Sequence, residues 1–262
     1  MKWLSVRTGS IVGGIVGVLV ALVAFAPASW VATAITQATG QRLVLAEARG
    51  TLWQGSAMLV LTGGAGSLDA TSLPDRLHWV LHFADRGLRI DLRQECCLNG
   101  VVGLSVQPGL GRTKIELLPR PGWTASWPSS LLRGMGTPWN TLQLGGAIRF
   151  NSSGVVFEQA AGRWTMRGHA EIEVLDASSP LATLEQLGSY RLGLTGNEQG
   201  RVRAELTTTE GALQLSGDGD WGPGGVRFRG EARASQGNEA ALNNLLNIIG
   251  RRDGARSIIS IG

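Results

Sequence analysis

The sequence predicts a mainly β protein, with an N-terminal transmembrane helix followed by an antiparallel, curved β-sheet domain, a meander with one short C-terminal helix. Three observations support this prediction. An uncharged apolar run opens the chain, short apolar segments separated by glycine-containing links fill most of it, and one segment with helical periodicity comes near the end. The 262 residues suffice for one domain and an anchor.

The composition indicates a folded domain without a nucleic-acid partner. Apolar residues make up 43% of the chain and charged residues 17%, which is enough apolar material for a core. The net charge of +4 comes mainly from arginines that are dispersed among acidic residues instead of being clustered with aromatic ones. Pairs such as Arg201 and Arg203 alternate with apolar residues, which is typical of the wet face of a strand.

The N-terminal segment predicts the compartment. Residues 11–28 are almost wholly apolar and lie in a longer segment without charged residues. Their length is close to the minimum for a transmembrane helix, and the basic residues before them predict a cytoplasmic tail at 1–10 and a periplasmic domain at 29–262. The protein is thus predicted to be a single-pass inner-membrane protein that contacts the bilayer through residues 11–28. A cleaved signal peptide is the alternative, because Ala26-Pro27-Ala28 supplies an A-x-A site, but the run is longer than a usual signal core.

Strands are predicted next. Residues 43–60 indicate a strand, a turn and a second strand, with GTLWQGSA (residues 50–57) at the centre and Trp53 as an aromatic anchor beside turns. Residues 77–83 alternate, which places the two histidines of this strand on one face about 13 Å apart, too far for both to bind one metal ion. Further strands are predicted at 87–92, 98–106 and 113–118.

Cys96 and Cys97 are the only cysteines, and they are adjacent. Neighbouring cysteines cannot join distant parts of a fold, so no disulfide framework is expected. A structural zinc needs four ligands and no histidine is near, so no metal site is expected either. We predict a structural role for the pair, either as a strained vicinal disulfide or as two small buried apolar residues.

A stretch rich in proline and tryptophan, residues 119–139, follows these strands. It is predicted to be an ordered connection or a short helical turn and not a central strand. Its Trp123, Trp127 and Trp139 are the best candidates for contact with a partner protein. The alternative is that they cover the open end of a small core.

The second half of the chain predicts more strands and one helix. Links of the hairpin kind at 209–211 and 222–224 imply an antiparallel meander. The helix is predicted at 238–249, with Asn238 as its N-cap, an apolar stripe, Gly250 at its end and Arg251-Arg252 near its negative end. The strands are predicted at 141–150, 154–158, 162–175, 190–194, 201–208, 212–220, 225–234 and 258–261.

No pattern of reactive residues indicates catalysis. Nucleophile-elbow, phosphate-loop, dinucleotide and zinc-protease motifs are absent from the sequence. Residues 217–222 resemble a calcium loop in composition alone and are predicted to form a turn. His169 is near Glu171 and Glu173, but no nucleophile is in register with it. We therefore predict a protein that is not an enzyme and that carries no cofactor.

Several phrases in order along the chain resemble a known family: GTLWQGSA, CCLNG (96–100), GTPWNTLQLGG (136–146), LGSYRL (187–192) and NLLNIIGRRDGARSIISIG (244–262). With the N-terminal apolar run they make the chain similar to type II secretion system protein N. The resemblance implies an accessory inner-membrane component that supports export of folded periplasmic proteins across the outer membrane through protein–protein interactions. Its expected partners are other type II secretion components of the inner membrane and periplasm, and the resemblance transfers no catalytic residues.

Two further hypotheses remain open. A bent antiparallel sheet with an apolar concave face could bind lipid or bridge it between membranes, which would require a long apolar groove. The sheet could also engage secretion components by edge-strand addition or through the segment from Trp123 to Trp139.

Overall fold

The computed structural model describes the backbone of residues 3–85, 87–222 and 225–262, and side chains from residue 12 onward. Within these ranges the chain forms one fifteen-stranded antiparallel sheet and a few short helices. The prediction of a mainly β, antiparallel protein is therefore confirmed. Residues 1 and 2 of the predicted tail, and two residues of the predicted link at 222–224, lie outside the described ranges.

Two helices precede the sheet. Helix α1 spans Trp3–Ala24 and helix α2 spans Ala28–Ala38. The apolar side chains of α1 are exposed from Val12 to Val23, whereas α2 packs its apolar side on the first two strands. Within the described residues, no helix combines the length and the apolar character that crossing a membrane requires.

The first half of the sheet contains seven strands. These are β1 Leu43–Gly50, β2 Gln54–Thr62, β3 Ala70–Ala84, β4 Gly87–Arg93, β5 Val102–Gly109, β6 Arg112–Leu117 and β7 Ala125–Pro128. A 3-10 helix, Ser129–Met135, and helix α3, Trp139–Leu142, follow β7. The predicted connection at 119–139 is thus ordered and helical in part, but it also contains the short strand β7.

The second half contains eight strands and one longer helix. The strands are β8 Gly145–Ala160, β9 Arg163–Ser178, β10 Gly188–Gly196, β11 Val202–Gly211, β12 Leu213–Gly222, β13 Gly225–Ala234, β14 Arg251–Asp253 and β15 Arg256–Ile261. Helix α4, Glu239–Ile249, lies between β13 and β14 and confirms the predicted C-terminal helix.

Strands adjacent in sequence are adjacent in the sheet, apart from two places. The long strand β8 pairs with β7 along its first part and with β6 along its second part, so β6 and β7 share one neighbour. At the C-terminal end, β15 lies between β13 and β14. The predicted meander is confirmed up to β13. In the final hairpin the second strand, β15, pairs with β13, and the first strand, β14, lies outside it.

One face of the sheet is apolar across its strands. Cross-strand pairs place Leu81, Ile90, Leu104, Leu117 and Val155 in one row. A second row beside it contains Phe83, Leu88, Val106, Ile115, Phe157 and Met166. The opposite face carries the charged side chains, as period-two alternation requires.

Four buried clusters lie on this apolar face. Helix α2, the 3-10 helix and α4 each contribute side chains to one of them. The central cluster consists of strand residues alone, namely Val155, Met166, Ala170 and Val202 with Phe150, Phe157 and Leu194 around them. The helices therefore cover the ends of the apolar face more fully than its middle.

Two strand predictions were wrong in their bounds. The predicted strand at 98–106 begins only at Val102, because the residues before it turn to pair with β7. The predicted strands at 141–150 and 154–158 are one strand, β8, which starts after α3. Gly154 has a φ of 123° at a bulge, and this conformation lets β8 change register and continue.

Two predictions about turns and caps were also wrong. Residues 217–222 belong to β12, because Gly217 and Gly219 make room for the ring of Phe228 on the neighbouring strand instead of forming a turn. Asn238 does not cap α4 with its side chain, since its Nδ2 donates to Ser235 Oγ at 3.0 Å. Arg251 and Arg252 lie in β14, so they extend the sheet after the helix has ended.

Candidate functional site

Residues 50–57, the segment GTLWQGSA, connect the N-terminal helices to the sheet through hydrogen bonds. Its Trp53 donates a hydrogen bond from Nε1 to the carbonyl oxygen of Val23, in the last turn of α1, at 2.9 Å. The amide of Leu52 donates to Ala26 O at 2.7 Å, and Pro27 forms an isolated antiparallel bridge with Thr51. We call this set of contacts the junction. It joins the end of α1 to the turn between β1 and β2.

Strand β3 supports the junction from the other side. The Leu81 amide donates to Trp53 O at 2.7 Å, and the rings of Trp53 and Phe83 lie 5.1 Å apart. The indole of Trp79 donates to Leu52 O at 3.1 Å. A Cβ at Gly55 would overlap the Trp79 ring, so the second glycine of GTLWQG is required by a close approach. Trp53 thus lies where the sequence placed an aromatic residue, beside a turn.

The A-x-A residues lie inside the junction. Ala26 is 2% exposed and Ala28 is 1% exposed, and Ala28 packs in a cluster with Leu45, Ala57 and Trp79. The segment that resembles a cleavage site is therefore part of the folded structure.

The two cysteines form a vicinal disulfide between their Sγ atoms. Cys97 is 1% exposed and packs against Leu73 and Leu131, whereas Cys96 is exposed. Of the two alternatives that the sequence left open, the structure has the disulfide, with one of its two half-cystines in the core.

The CCLNG phrase also extends the sheet beside β7. The Ser126 amide donates to Cys97 O at 2.8 Å, the Asn99 amide donates to Thr124 O at 3.1 Å, and Leu98 bridges Ala125. Asn99 Nδ2 donates to Trp123 O at 2.9 Å. The strand β7 is therefore paired on both sides, by β8 and by this loop, which satisfies its backbone groups.

The three tryptophans of residues 119–139 lie in different surroundings. Trp127 is on β7 and packs against the cluster that contains Cys97 and Leu131. Trp139 begins α3 and packs against the C-terminal cluster around α4. All three are half-buried, and Trp123 is tied to the CCLNG loop only through its backbone. Their role as a partner contact stays a prediction.

The C-terminal cluster is the largest group of buried side chains. Leu242, Leu245 and Leu246 of α4 are each at most 1% exposed. Tyr190 reaches into the cluster and donates from its hydroxyl to Leu213 O at 3.1 Å, and burial raises the pKa of this phenol well above its usual range. Ser257 on β15 donates to the Leu246 carbonyl. These contacts explain why the C-terminal phrase closes one end of the sheet.

The polar face carries ion-paired ladders. Arg191 contacts Glu171 and Glu173, each at 3.3 Å, so both carboxylates that follow His169 in the sequence are ion-paired. His169 itself is exposed and its Nδ1 lies 3.2 Å from Thr195 Oγ1. The histidines of β3 are exposed as well, and His82 pairs with Asp91 at 3.5 Å. In the described part of the chain, no three His, Cys, Asp or Glu side chains gather closely enough to hold a metal ion.

Sequence reasoning missed the partners of Trp53. The indole of Trp53 donates to the Val23 carbonyl, and the contacts beside it, from the Leu52 amide to Ala26 O and between Pro27 and Thr51, join backbone atoms too. Backbone acceptors leave no side-chain pattern. Phe83 could have been found, since alternation along β3 places it on the face of Trp79 and Leu81 at the strand end.

A comparison with protein families gave one match. The family model described as "Type II secretion system (T2SS), protein N" matches residues 41–259, from before β1 to within β15. No curated protein and no solved structure matched the chain. The matched segment contains the Trp53 turn, the cysteine pair and most of the C-terminal hairpin.

Proposed function

Because the chain belongs to the type II secretion system protein N family and is thus a component of that secretion system, we propose that it is an accessory inner-membrane component. In this role it supports export of folded periplasmic proteins across the outer membrane through protein–protein interactions. The chain performs no catalysis in this proposal. Its sheet presents surfaces to other type II secretion components of the inner membrane and periplasm.

The observation that carries the membrane part of the proposal is the apolar N-terminal segment and its junction with the sheet. From Val12 to Val23 the large apolar side chains of α1 are each at least half exposed, and Phe25 is 77% exposed. Exposed apolar surface of this extent favours contact with lipid or protein. Because Ala26 and Ala28 are buried in the junction, we propose that residues 11–28 remain as an uncleaved anchor.

The periplasmic placement of residues 29–262 is supported by charge and by the cysteine pair. Basic residues precede the apolar run in the sequence, which favours a cytoplasmic N-terminus. A disulfide between Cys96 and Cys97 is typical of an oxidising compartment such as the periplasm.

Two sets of residues are candidates for the contacts with partners. Strands β1 and β14 are the two edges of the sheet, and all three residues of β14 are exposed. Exposed edges can accept a strand from a partner by backbone hydrogen bonding. The tryptophans Trp123, Trp127 and Trp139 are the second candidate, and the half-buried Trp123 can be replaced with the least effect on the core.

One experiment tests the anchor and the role together. Full-length chain would be produced in cells that lack it, membranes would be washed with carbonate, and the mass of the protein and the export of secreted proteins would be measured. We expect an intact N-terminus, retention in the membrane pellet and restored export. A mature chain that begins at Ser29 and leaves the membrane would overturn the anchor, and unchanged export with and without the chain would overturn the accessory role.

A second experiment tests the partner contact. Trp123→Ala is expected to reduce co-purification of other secretion components from gently solubilised membranes, with an unchanged melting temperature. Trp221→Ala, which replaces a half-exposed tryptophan of β12 outside residues 119–139, is the matched control. Equal recovery of partners with both variants would remove the segment from Trp123 to Trp139 from consideration.

The apolar face favours a second candidate function, the binding or bridging of lipid. Leu104, Val106 and Ile115 in these rows are half-buried, and the central cluster contains no helix residue. An acyl chain could lie along such a surface. Native mass spectrometry should then find phospholipid on the purified chain.

A pair of variants separates this function from the first. Replacing Val106 and Ile115 by threonine makes the row polar with little change in side-chain shape, and should lower lipid occupancy. The control replaces Ser105 by threonine and Glu116 by glutamine on the opposite face of the same strands. Absence of phospholipid from the unmodified chain, or equal occupancy in both variants, would contradict lipid binding.

A further inference from the structure

Six turns open at the same end of the strands as the junction, namely those that follow β1, β3, β5, β8, β10 and β12. Antiparallel neighbours reverse direction, so these turns all lie at one rim of the sheet. The register confirms this for the turns after β5 and β8, because Ala160 at the end of β8 pairs with both Arg112 and Arg163. We call this rim, which is formed by the ends of strands and not by the outer strands β1 and β14, the junction edge. The turn β2–β3 lies at the opposite edge.

Apolar side chains are exposed along the junction edge. Leu110 is 105% exposed at the tip of the β5–β6 hairpin, Phe83 is 79% exposed at the end of β3, and Trp164 is 48% exposed just after the β8–β9 turn. Hairpin tips are ordinarily polar, and a leucine between two glycines at a tip contributes nothing to the core. These exposed apolar side chains are therefore available to contact a surface outside the protein.

Arginines flank the same turns. Arg112 follows the Leu110 tip and Arg163 precedes Trp164, and both side chains are exposed. Aromatic rings, aliphatic tips and arginines together are the composition of segments at a membrane–water interface, where the apolar groups enter the headgroup region and the guanidinium groups bind phosphates. Binding to a protein does not require this combination of aromatic, aliphatic and arginine side chains on separate hairpin tips.

We propose that the junction edge lies on the phospholipid surface of the inner membrane, with Phe83, Leu110 and Trp164 immersed in its headgroup region. This inference rests on the proposed anchor. It is supported by continuity, since the hydrogen bond from Trp53 to Val23 holds the last turn of α1 at this edge. A bilayer that contains α1 is then close to the neighbouring hairpin tips, and the docked edge fixes the orientation of the sheet.

The chain offers a matched control on the opposite edge. Leu68, in the β2–β3 loop, is 101% exposed and thus has the same surroundings within the protein as Leu110. Leu110→Cys and Leu68→Cys would each be labelled with an environment-sensitive fluorophore on the full-length chain, because Cys96 and Cys97 are held in their disulfide. The chain would be reconstituted in vesicles of phosphatidylethanolamine and phosphatidylglycerol, with or without a spin-labelled lipid.

We expect the label at position 110 to emit at shorter wavelength than that at position 68, and spin-labelled lipid to lower its emission by roughly half, as for a group in the headgroup region. Equal emission and equal quenching at the two positions, in chain that has co-floated with the vesicles, would overturn the docking. Chain that does not float with the vesicles would instead overturn the anchor on which it rests. Trp164→Asp, at an exposed side chain outside the junction, should reduce the quenching at position 110 without lowering the melting temperature in detergent.

Discussion

The Nε1 atom of Trp53 lies 2.9 Å from the carbonyl oxygen of Val23, thirty residues earlier in the chain. This hydrogen bond satisfies a carbonyl in the last turn of α1, where carbonyl groups have no amide donor within the helix. The same tryptophan is held by Leu81 from β3, so the helix end and the third strand are connected through one residue. The orientation of α1 relative to the sheet therefore depends on this side chain.

Replacing Trp53 by phenylalanine should loosen the junction while keeping an aromatic ring beside Phe83. The lost hydrogen bond contributes about 1 kcal/mol to the stability of this contact. We expect faster proteolysis of the segment between α1 and α2 and faster hydrogen exchange of the Leu52 amide, whose acceptor is Ala26 O. Trp164→Phe is the control, and similar proteolysis of both variants would show that the junction does not depend on the indole.

The cysteine pair predicts different effects for two substitutions that remove the same disulfide. Cys97→Ala also removes a buried sulfur from contact with Leu73 and Leu131, and should lower the free energy of unfolding by about 1–2 kcal/mol relative to Cys96→Ala. Cys96 is exposed, so its replacement reports on the disulfide alone. Chemical denaturation of both variants measures the difference. Equal stabilities would show that the packing of Cys97 contributes nothing.

Tyr190 predicts a loss of stability in alkali. Burial raises its pKa, so the unfolded chain, whose phenol has a pKa of about 10, releases the proton first. The contribution of the neutral phenol is complete below pH of about 10 and decreases as the pH rises above this value. The free energy of unfolding should therefore decrease with pH in this range.

Tyr190 is the only tyrosine, so its absorbance reports its ionisation directly. We expect tyrosinate to appear only as the fold is lost. Tyr190→Phe should cost about 1 kcal/mol at neutral pH through the unpaired Leu213 carbonyl, and should weaken the alkaline dependence. Tyrosinate that forms near pH 10 in the folded chain would contradict this account.

Local sequence patterns predicted most strands. They failed where contacts with residues distant in the sequence determine the backbone conformation. Alternation placed Trp79, Leu81 and Phe83 on one face correctly, because their spacing depends on the strand alone. The loop from Cys97 to Asn99 resembles a strand start, but it is drawn away to pair with β7. Gly217 and Gly219 suggest a turn in the sequence. They are glycines because the ring of Phe228, on the neighbouring strand, leaves no room for a Cβ.

The same limit applies to the candidate site. The Trp53 motif and the adjacent cysteines could be recognised from residue type and spacing. The acceptor of the Trp53 indole, the Val23 carbonyl, could not, since a backbone oxygen leaves no side-chain pattern. The exposed Leu110 tip was recognisable in principle, because an apolar residue between two glycines conflicts with ordinary turn chemistry.

Gly134 is predicted to be essential to the contact between the 3-10 helix and the sheet. A Cβ at this position would lie 2.5 Å from Leu61 O and 2.6 Å from the Thr71 nitrogen, which are backbone atoms of β2 and β3 and cannot move aside singly. Gly134→Ala should therefore separate the helix from the sheet and expose Leu131, which is 8% exposed and packs against Cys97 and Leu73.

We expect Gly134→Ala to lower the free energy of unfolding by about 1–3 kcal/mol, as overpacking does. Gly222→Ala is the matched control, because its nearest neighbour is a flexible arginine side chain at 3.6 Å. Thermal denaturation compares the two variants, and tryptophan fluorescence reports on Trp127 in the same cluster. If both glycines tolerate alanine equally, the 3-10 helix does not need the close approach, and the stability of this region comes from the loop that pairs with β7.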